Sequence, residues 1–321
     1  MAMNGTLTPA ETAGTPYKVE WPAGTPINTF TEWYVQHEAT IQEKLHIHGA
    51  LLFRNTGIND INDFNGLLKQ ITRSLKTYTD GFSPRTKLQS NIYTSTEYDA
   101  DYYITLHNEL SYSANWPGKL FFCCIIPSET GGETPIADCR AILKAMRPEL
   151  LQRFRQKGVR YIRNVHSGDG AGPSWQQTFE TENKEEVENF CRANDIGFSW
   201  RNDGMLQLVQ NRPAVITHPV TGEEVWFNQV DQFHPCHLPA DIYETLMMLY
   251  DNDPERLPMY GCYGDGSAID EADIQEVRAL VDSKRIFNTW QKGDLLLADN
   301  ILVAHGRMPY TGNRKILVAM E

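Results

Sequence analysis

His107 and Glu109 stand two residues apart in "LHNELS", at the end of the strand-like run "YYITLHNELSY". On a strand whose side chains alternate faces, both would project to the same side. A histidine and a carboxylate on one face can hold a metal, form an acid/base pair, or simply meet solvent as a polar pair. The metal choice makes a demand elsewhere in the chain. Two histidines and one carboxylate on one side of a non-haem iron leave the other positions open for substrates, so a second histidine is needed at the mouth of another strand. His305, at the end of the apolar run "LLLADNILVAH" and 198 residues after His107, meets that demand. So short a motif also arises by chance, with His107 capping a strand edge and Glu109 solvated.

Nine residues after His305, Arg314 opens the segment "RKILVAM", in which Ile316, Val318 and Met320 share its face. An arginine at the end of an apolar face needs a carboxylate partner, ideally a bidentate one, and this suggests a dicarboxylate cosubstrate. The alternative is an exposed arginine at a hairpin end beside Lys315. Other motifs carry less. "FHPCHL" offers His234, Cys236 and His237, but no second Cys/His pair at zinc-finger spacing follows, so a loop or helix start is expected. "HSGDGAG" and "GCYGDGS" lack the lysine and the strand-to-helix setting of a phosphate loop and read as turns. Met247 and Met248 read as helix core, and no serine sits in a G-x-S-x-G elbow.

The elements that must position these residues follow from periodicity. "TFTEWYVQHEATIQE" reads as a helix, "HGALLFRN" as a buried strand, and "DINDFNGLLKQITRSL" as a capped helix. "GKLFFCCIIPS" is a second central strand after the Pro117-Gly118 turn signal, and the glycine turn "SETGGETPIAD" leads into a helical stretch. The last segment reads as "GDLLLADNILVAHGR", the turn "MPYTGN", and "RKILVAM". Residues 1–27 are expected to form a flexible arm. Residues 28–321 are expected to form one domain, with a helical and loop insert at about 140–290. Many short strands at the middle and end of the chain suit an antiparallel double-sheet or barrel core.

The 321 residues, 41% hydrophobic and 22% charged, are those of an ordinary globular protein with enough aromatic content for a large core. A formal net charge of −12 argues against nucleic acid or an anionic membrane surface as a partner. The start "MAMNGTLTPAETAGTPYK" has no apolar h-region, and no apolar run reaches membrane-spanning length. The six scattered cysteines form no CxxC pair, so reduced thiols and a cytoplasmic location are expected.

"LHNELSY", "GGETPIAD", "AVITHPVTGEEVWFNQ" and "WQKGDLLLADNILVAHGRMPYTGNRKILVAM" together resemble the taurine dioxygenase (TauD/TfdA) family of Fe(II)- and 2-oxoglutarate-dependent oxygenases, and within it the SyrP-like amino-acid hydroxylase branch. The resemblance runs from about residue 45 to the end. It implies a mainly β fold with α insertions around a double-stranded β-helix (jelly-roll) core. It implies His107, Glu109 and His305 as iron ligands, and Thr134 and Arg314 as holders of the distal carboxylate of 2-oxoglutarate. Arg307 is a further contact to the cosubstrate or substrate, or a structural ion pair at the hairpin. O2 and 2-oxoglutarate are the implied cosubstrates.

Two departures matter. Glutamate stands at 109 where the taurine branch has aspartate, which keeps an oxygen donor. Val318 stands where the taurine and aryloxyalkanoate branches place a second arginine, and this weighs against a sulfonate substrate. The implied function is oxidation of an amino acid or amino-acid-derived substrate, free or presented by a carrier protein, in natural product biosynthesis, by hydroxylation, desaturation or oxidative cyclisation. The alternatives are a catabolic taurine/alkylsulfonate-type or aryloxyalkanoate-type dioxygenase and, in another class, a non-catalytic jelly-roll binding protein. The substrate pocket is expected near Asn91, Tyr112, Trp226, Phe227 and Asn228, for each of which core packing or turn formation is the competing role. A monomer or homodimer is expected.

Overall fold

The computed structural model describes residues 9–168, 170 and 172–321. Its centre is an eight-stranded sheet in the order Ala10–Thr12, Tyr17–Glu20, Ala50–Arg54, Leu295–Asp299, Lys119–Ile126, Lys315–Met320, Ile92–Thr94, Lys87–Gln89. Every pairing is antiparallel except that of Tyr17–Glu20 with Ala50–Arg54. The long apolar runs that mark the middle strands arise because both sheet faces are covered. Leu51, Phe53, Phe121, Leu295, Leu297 and Leu317 point to one face, against Phe30, Tyr34, Leu45 and Phe64 of the helices Ile27–Gln36, Glu38–His48 and Ile61–Ile71. Leu52, Phe122, Leu296, Ile316, Val318 and Met320 point to the other.

That second face meets a three-stranded sheet made of Ile104–His107, Val303–Arg307 and Ile136–Asp138, whose Val303 and Ile136 complete the inner core. The chain passes from the large sheet at Leu295–Asp299 to the small one at Val303–Arg307 and back at Lys315–Met320. Two facing antiparallel sheets with such crossings form the expected jelly-roll core. The expected continuous run "GDLLLADNILVAHGR" is broken at its Asp-Asn pair. Asp299 Oδ1 accepts from the backbone N–H of Ile301 and Leu302, and this turn transfers the chain between sheets.

Three other expectations are corrected. The arm expected over 1–27 is a sheet edge from Ala10 onward, because Tyr17, Val19 and Trp21 are buried against the helical layer; residues 1–8 lie outside the described residues. The single first helix is two, broken at His37 between Ile27–Gln36 and Glu38–His48. The insert carries a four-stranded antiparallel sheet of its own, ordered Gly197–Trp200, Leu206–Arg212, Val159–Val165, Met259–Tyr263. Its alternating buried and half-buried residues are too polar to stand out as strands. "FHPCHL" is, as expected, a helix start: His234 Nδ1 accepts from the Cys236 N–H and caps the short turn Pro235–His237. In "HSGDGAG", Asp169 and Ala171 lie outside the described residues.

Candidate metal centre

Ile104–His107 and Val303–Arg307 pair antiparallel with His107 directly opposite His305, so the two rings lie 4.5 Å apart between centroids. The register shifts just after His305, and Gly306 is the residue that permits it. A Cβ there would sit 2.5 Å from the Ile104 carbonyl oxygen, closer than side-chain atoms come to backbone. Glu109 reaches the same place by a different route from the one its spacing suggests. The strand ends at His107, and Glu109 lies in the turn that follows, where Leu110 takes φ +55°.

That turn is held by two asparagines. The Asn300 side chain accepts from the Glu109 N–H at 2.7 Å and donates to the carbonyls of Glu109 (3.0 Å) and Pro117 (2.8 Å). Asn108 Nδ2 in turn donates to the Asn300 carbonyl at 2.6 Å. The turns bearing Glu109 and leading to His305 are thus stitched to each other. Asn300→Ala is expected to weaken Fe(II) binding by about 10–100-fold, the usual effect of loosening a ligand's support, with the fold retained. Metal titration of purified protein beside a circular dichroism spectrum measures both.

The donor set fits a divalent metal. One ligand atom from each of His107, Glu109 and His305 lies within 4.8 Å of the others, and all three residues are buried. His107 Nδ1–H donates to the Thr105 carbonyl at 2.8 Å, leaving Nε2 as a free lone pair. His305 Nε2 lies 3.6 Å from Glu109 Oε2, and its buried Nδ1 has no protein partner. Burial raises the Glu109 carboxyl, but the Arg85 guanidinium and the two imidazoles outweigh it and hold the group well below the usual carboxylate range. Burial and the neighbouring His305 push His107 down to about 4, so its imidazole is neutral at ordinary pH, the form in which it could bind a metal.

The unfolded chain accepts a proton on this imidazole near pH 6.5, whereas the folded one refuses it until about pH 4. Metal-free protein therefore loses stability as pH falls through that window, by about 2 kcal/mol at pH 5. Other histidines lowered by burial, among them His46 and His234, add to the loss in both proteins, so urea unfolding at pH 7 and 5 should show a drop about 2 kcal/mol larger in wild type than in His107→Gln.

A second cluster, His46, His218 and Asp299, has comparable spacing but is satisfied internally. His218 Nδ1 accepts from the N–H of Val220 and Thr221, so its Nε2 carries the proton donated to Asp299 Oδ2 at 3.0 Å.

Next to the first cluster the pocket is lined by Arg85, Ser95, Phe122, Thr134, Arg314, Ile316 and Val318. Arg314 donates to the Gly132 carbonyl at 2.9 Å and to Ser95 Oγ at 3.2 Å, and no carboxylate pairs with it among the described residues. Burial and the nearby Arg307 lower it to about 10. Gly132, at φ +71°, leaves the room its side chain uses: a Cβ there would lie 3.0 Å from Arg314 Cδ. Trp290 Nε1 donates to Thr134 Oγ1 at 3.2 Å, which leaves the hydroxyl proton free for another acceptor. A hydroxyl and an acid-free guanidinium in one buried pocket suit a carboxylate.

Arg307, although it borders the pocket, is occupied: it donates to the carbonyls of Thr96, Tyr98, Asp99 and Tyr102 and pins that loop. Of its two expected roles the structure supports a structural one, through carbonyls rather than an ion pair.

A sequence profile of the "Taurine catabolism dioxygenase TauD, TfdA family" matches residues 11–320. The chain belongs to the TauD/TfdA family. Among relatives of this oxygenase, the Dapdiamide synthesis protein DdaC of Enterobacter agglomerans is 37% identical over 308 residues, 96% of this chain and 92% of that one. The Clavaminate synthase-like protein of Arabidopsis thaliana is 29% identical over 301 residues, 91% and 87% of the two chains. Of solved structures, PvcB from Pseudomonas aeruginosa superimposes with a TM-score of 0.54 at 13% identity, covering 100% of this chain and 92% of the other. AAD-2 in complex with Mn(II) and N-oxalylglycine gives 0.52 at 12% identity, covering 98% and 96%. These likenesses carry the jelly-roll fold. As a TauD/TfdA member the protein is an Fe(II)- and 2-oxoglutarate-dependent dioxygenase.

The five residues expected at the substrate pocket are not among those lining the metal pocket. Asn91 sits in a tight turn at φ +60° and donates to the Leu75 carbonyl. The Tyr112 hydroxyl donates to the Asp80 carbonyl within an aromatic cluster of Phe82, Tyr161 and Phe233. Phe227 packs on Trp116. Trp226 and Asn228 border a separate small cavity beside Thr105 and Leu106. Sequence reasoning missed Arg85, Trp290, Asn108 and Asn300. Only Asn300 has a local signal, the Asp-Asn turn pair inside an apolar run.

Proposed function

We propose that His107, Glu109 and His305 hold Fe(II), and that Thr134 and Arg314 hold the distal carboxylate of 2-oxoglutarate. The substrate oxidised is an amino acid or amino-acid-derived compound, free or carrier-bound, in specialised metabolism. The observation that carries the reading is the buried His–Glu–His cluster sharing a pocket with a guanidinium that has no acid of its own. The metal with 2-oxoglutarate and O2 supplies oxidative decarboxylation to succinate and CO2, coupled to oxidation of the substrate. The protein's part is placement: paired strands fix the imidazoles, Asn300 fixes the carboxylate, and the apolar face of Phe122, Ile316 and Val318 keeps water from the site.

The substrate class is favoured by the relative named for dapdiamide synthesis and by Val318, which is fully buried and offers no cation where a sulfonate would need one. The enzyme acts in the cytoplasm, as a monomer or homodimer, with one oxygenase domain from the N-terminal strand pair to the C-terminal strand. With Glu109 on the metal, no site remains for a halide, so oxidation proceeds without chlorination. Protein given Fe(II) and 2-oxoglutarate without oxygen should develop a weak visible charge-transfer band. Its absence in folded, iron-loaded protein would leave the non-catalytic reading. A chlorinated product formed with chloride present would refute the role given to Glu109.

A further inference from the structure

Arg85 is the one cation of the metal pocket that the reading above does not use. Its side chain is 3% exposed, and among the described residues its only hydrogen-bond partner is Glu109, whose Oε2 accepts from Nη2 at 2.6 Å. Nε and Nη1 are buried with no partner. The guanidinium lies over the Tyr78 ring, 4.4 Å from its centroid, which orients the plane without using a donor. Glu109 Oε2 is also the oxygen nearest His305 Nε2. A metal on these ligands would share the oxygen that Arg85 holds, and the guanidinium keeps two donors, Nε and Nη1, for another anion.

The position of Arg85 says where that anion enters. Arg85 lines the metal pocket on one side and, on the other, an open groove of about 600 Å³ bounded by Tyr78, Ser83, Tyr93, Glu97 and Gln177. Arg314 and Thr134 belong to the inner pocket and do not border the groove. A molecule arriving along the groove meets Arg85 beside the metal; Lys87, the other cation among the described residues lining the groove, is paired with Glu180 at 3.0 Å.

We propose that Arg85 is the specificity-determining receptor for a carboxylate of the substrate, which it binds with the donors that Glu109 leaves free. The inference rests on the oxygenase reading and narrows its substrate to molecules with a free carboxylate near the carbon that is oxidised. A carrier-bound thioester of an α-carboxyl group would then need a second, side-chain carboxylate to be accepted.

The test uses the full chain loaded with Fe(II) and 2-oxoglutarate without oxygen, observing the charge-transfer band. The probes are the proteinogenic L-α-amino acids and their α-carboxamides, and the proteins are wild type, Arg85→Gln and Arg85→Lys. If wild type forms no band, the oxygenase reading itself fails. If it does, free acids should perturb the band while their amides should not. In Arg85→Gln the response should weaken at least about thirtyfold, the lower end for removing one member of a buried ion pair, with partial recovery in Arg85→Lys. The half-saturating 2-oxoglutarate concentration should stay within about threefold of wild type, because Arg314 and not Arg85 holds that molecule. Loss of 2-oxoglutarate binding in Arg85→Gln would reassign the residue to the cosubstrate. Amides acting as well as acids, or an unchanged response in folded Arg85→Gln, would overturn the proposal.

Discussion

His305→Ala is expected to lower 2-oxoglutarate turnover by at least about a thousandfold, because a facial site with one ligand missing neither retains the metal nor orients its bound groups. His305 faces His107 across a strand pair and Glu109 across 3.6 Å, so its removal opens one corner of the cluster. The loss should appear in three measurements: metal stoichiometry, the anaerobic charge-transfer band, and succinate formation. Retention of the band and of stoichiometric iron would remove His305 from the ligand set. The variant should remain folded, since removing a buried ring between Phe122 and His107 leaves only a cavity, a loss of a few kcal/mol.

Asp80→Ala should have the largest effect on stability. Asp80 is fully buried and takes the left-handed conformation at φ +71°. Its carboxylate accepts from Arg163, itself 2% exposed, and from Gln210 Nε2 at 3.1 Å, while its carbonyl accepts from Arg163 Nη1 at 2.9 Å and from the Tyr112 hydroxyl at 2.7 Å. Removing the acid leaves a guanidinium buried without its counter-charge, which costs about 3–5 kcal/mol. Denaturant midpoints at constant m-value measure it. Replacing the whole network by apolar residues, Asp80→Leu with Arg163→Met, should recover part of the loss. Because Asp80 lies five residues before Arg85, the single variant should also blur any substrate selectivity of the pocket.

The sequence carried the metal centre further than its own logic warranted. His107 and Glu109 do meet, yet not because alternate residues of a strand share a face: the strand stops at His107, and a turn clamped by Asn300 swings Glu109 around. A spacing of two was compatible with both routes. Thr134 was legible only through the family resemblance, and spacing left Arg314 open between a carboxylate partner and an exposed hairpin end; the structure sets both in the same pocket as the histidines. Arg307 was ambiguous for a physical reason. Four backbone carbonyls take up its two terminal nitrogens, and carbonyls leave no trace in residue identity.

The substrate side was not legible. Aromatic residues such as Tyr112, Trp226 and Phe227 fill the interface between core and insert, where the chain needs volume, and nothing local distinguishes packing from recognition. Arg85 stands among polar loop residues in "GFSPRTKLQS", and contacts distant in sequence, Asp80 with Arg163 on one side and Pro84 with Glu97 on the other, hold its loop beside the metal pocket. The N-terminal strands escaped notice because Thr, Pro and Gly mask three buried side chains, Tyr17, Val19 and Trp21.

The Arg163–Asp80 contact divides the molecule by task. Strands of the jelly roll and the turns between them supply the histidines, Thr134 and Arg314, while the loop with Arg85 is anchored on one side to the inserted sheet through Asp80 and on the other to the jelly roll, where the Pro84 and Thr86 carbonyls accept from the Glu97 and Thr94 N–H. Under the proposed roles, oxidising power and choice of target thus draw on different segments of one domain, which share a continuous core. Exchanging residues 140–283 together with the 78–85 loop between relatives of this architecture, leaving Trp290 and its bond to Thr134 in place, should redirect the enzyme to new molecules while its iron chemistry continues unchanged.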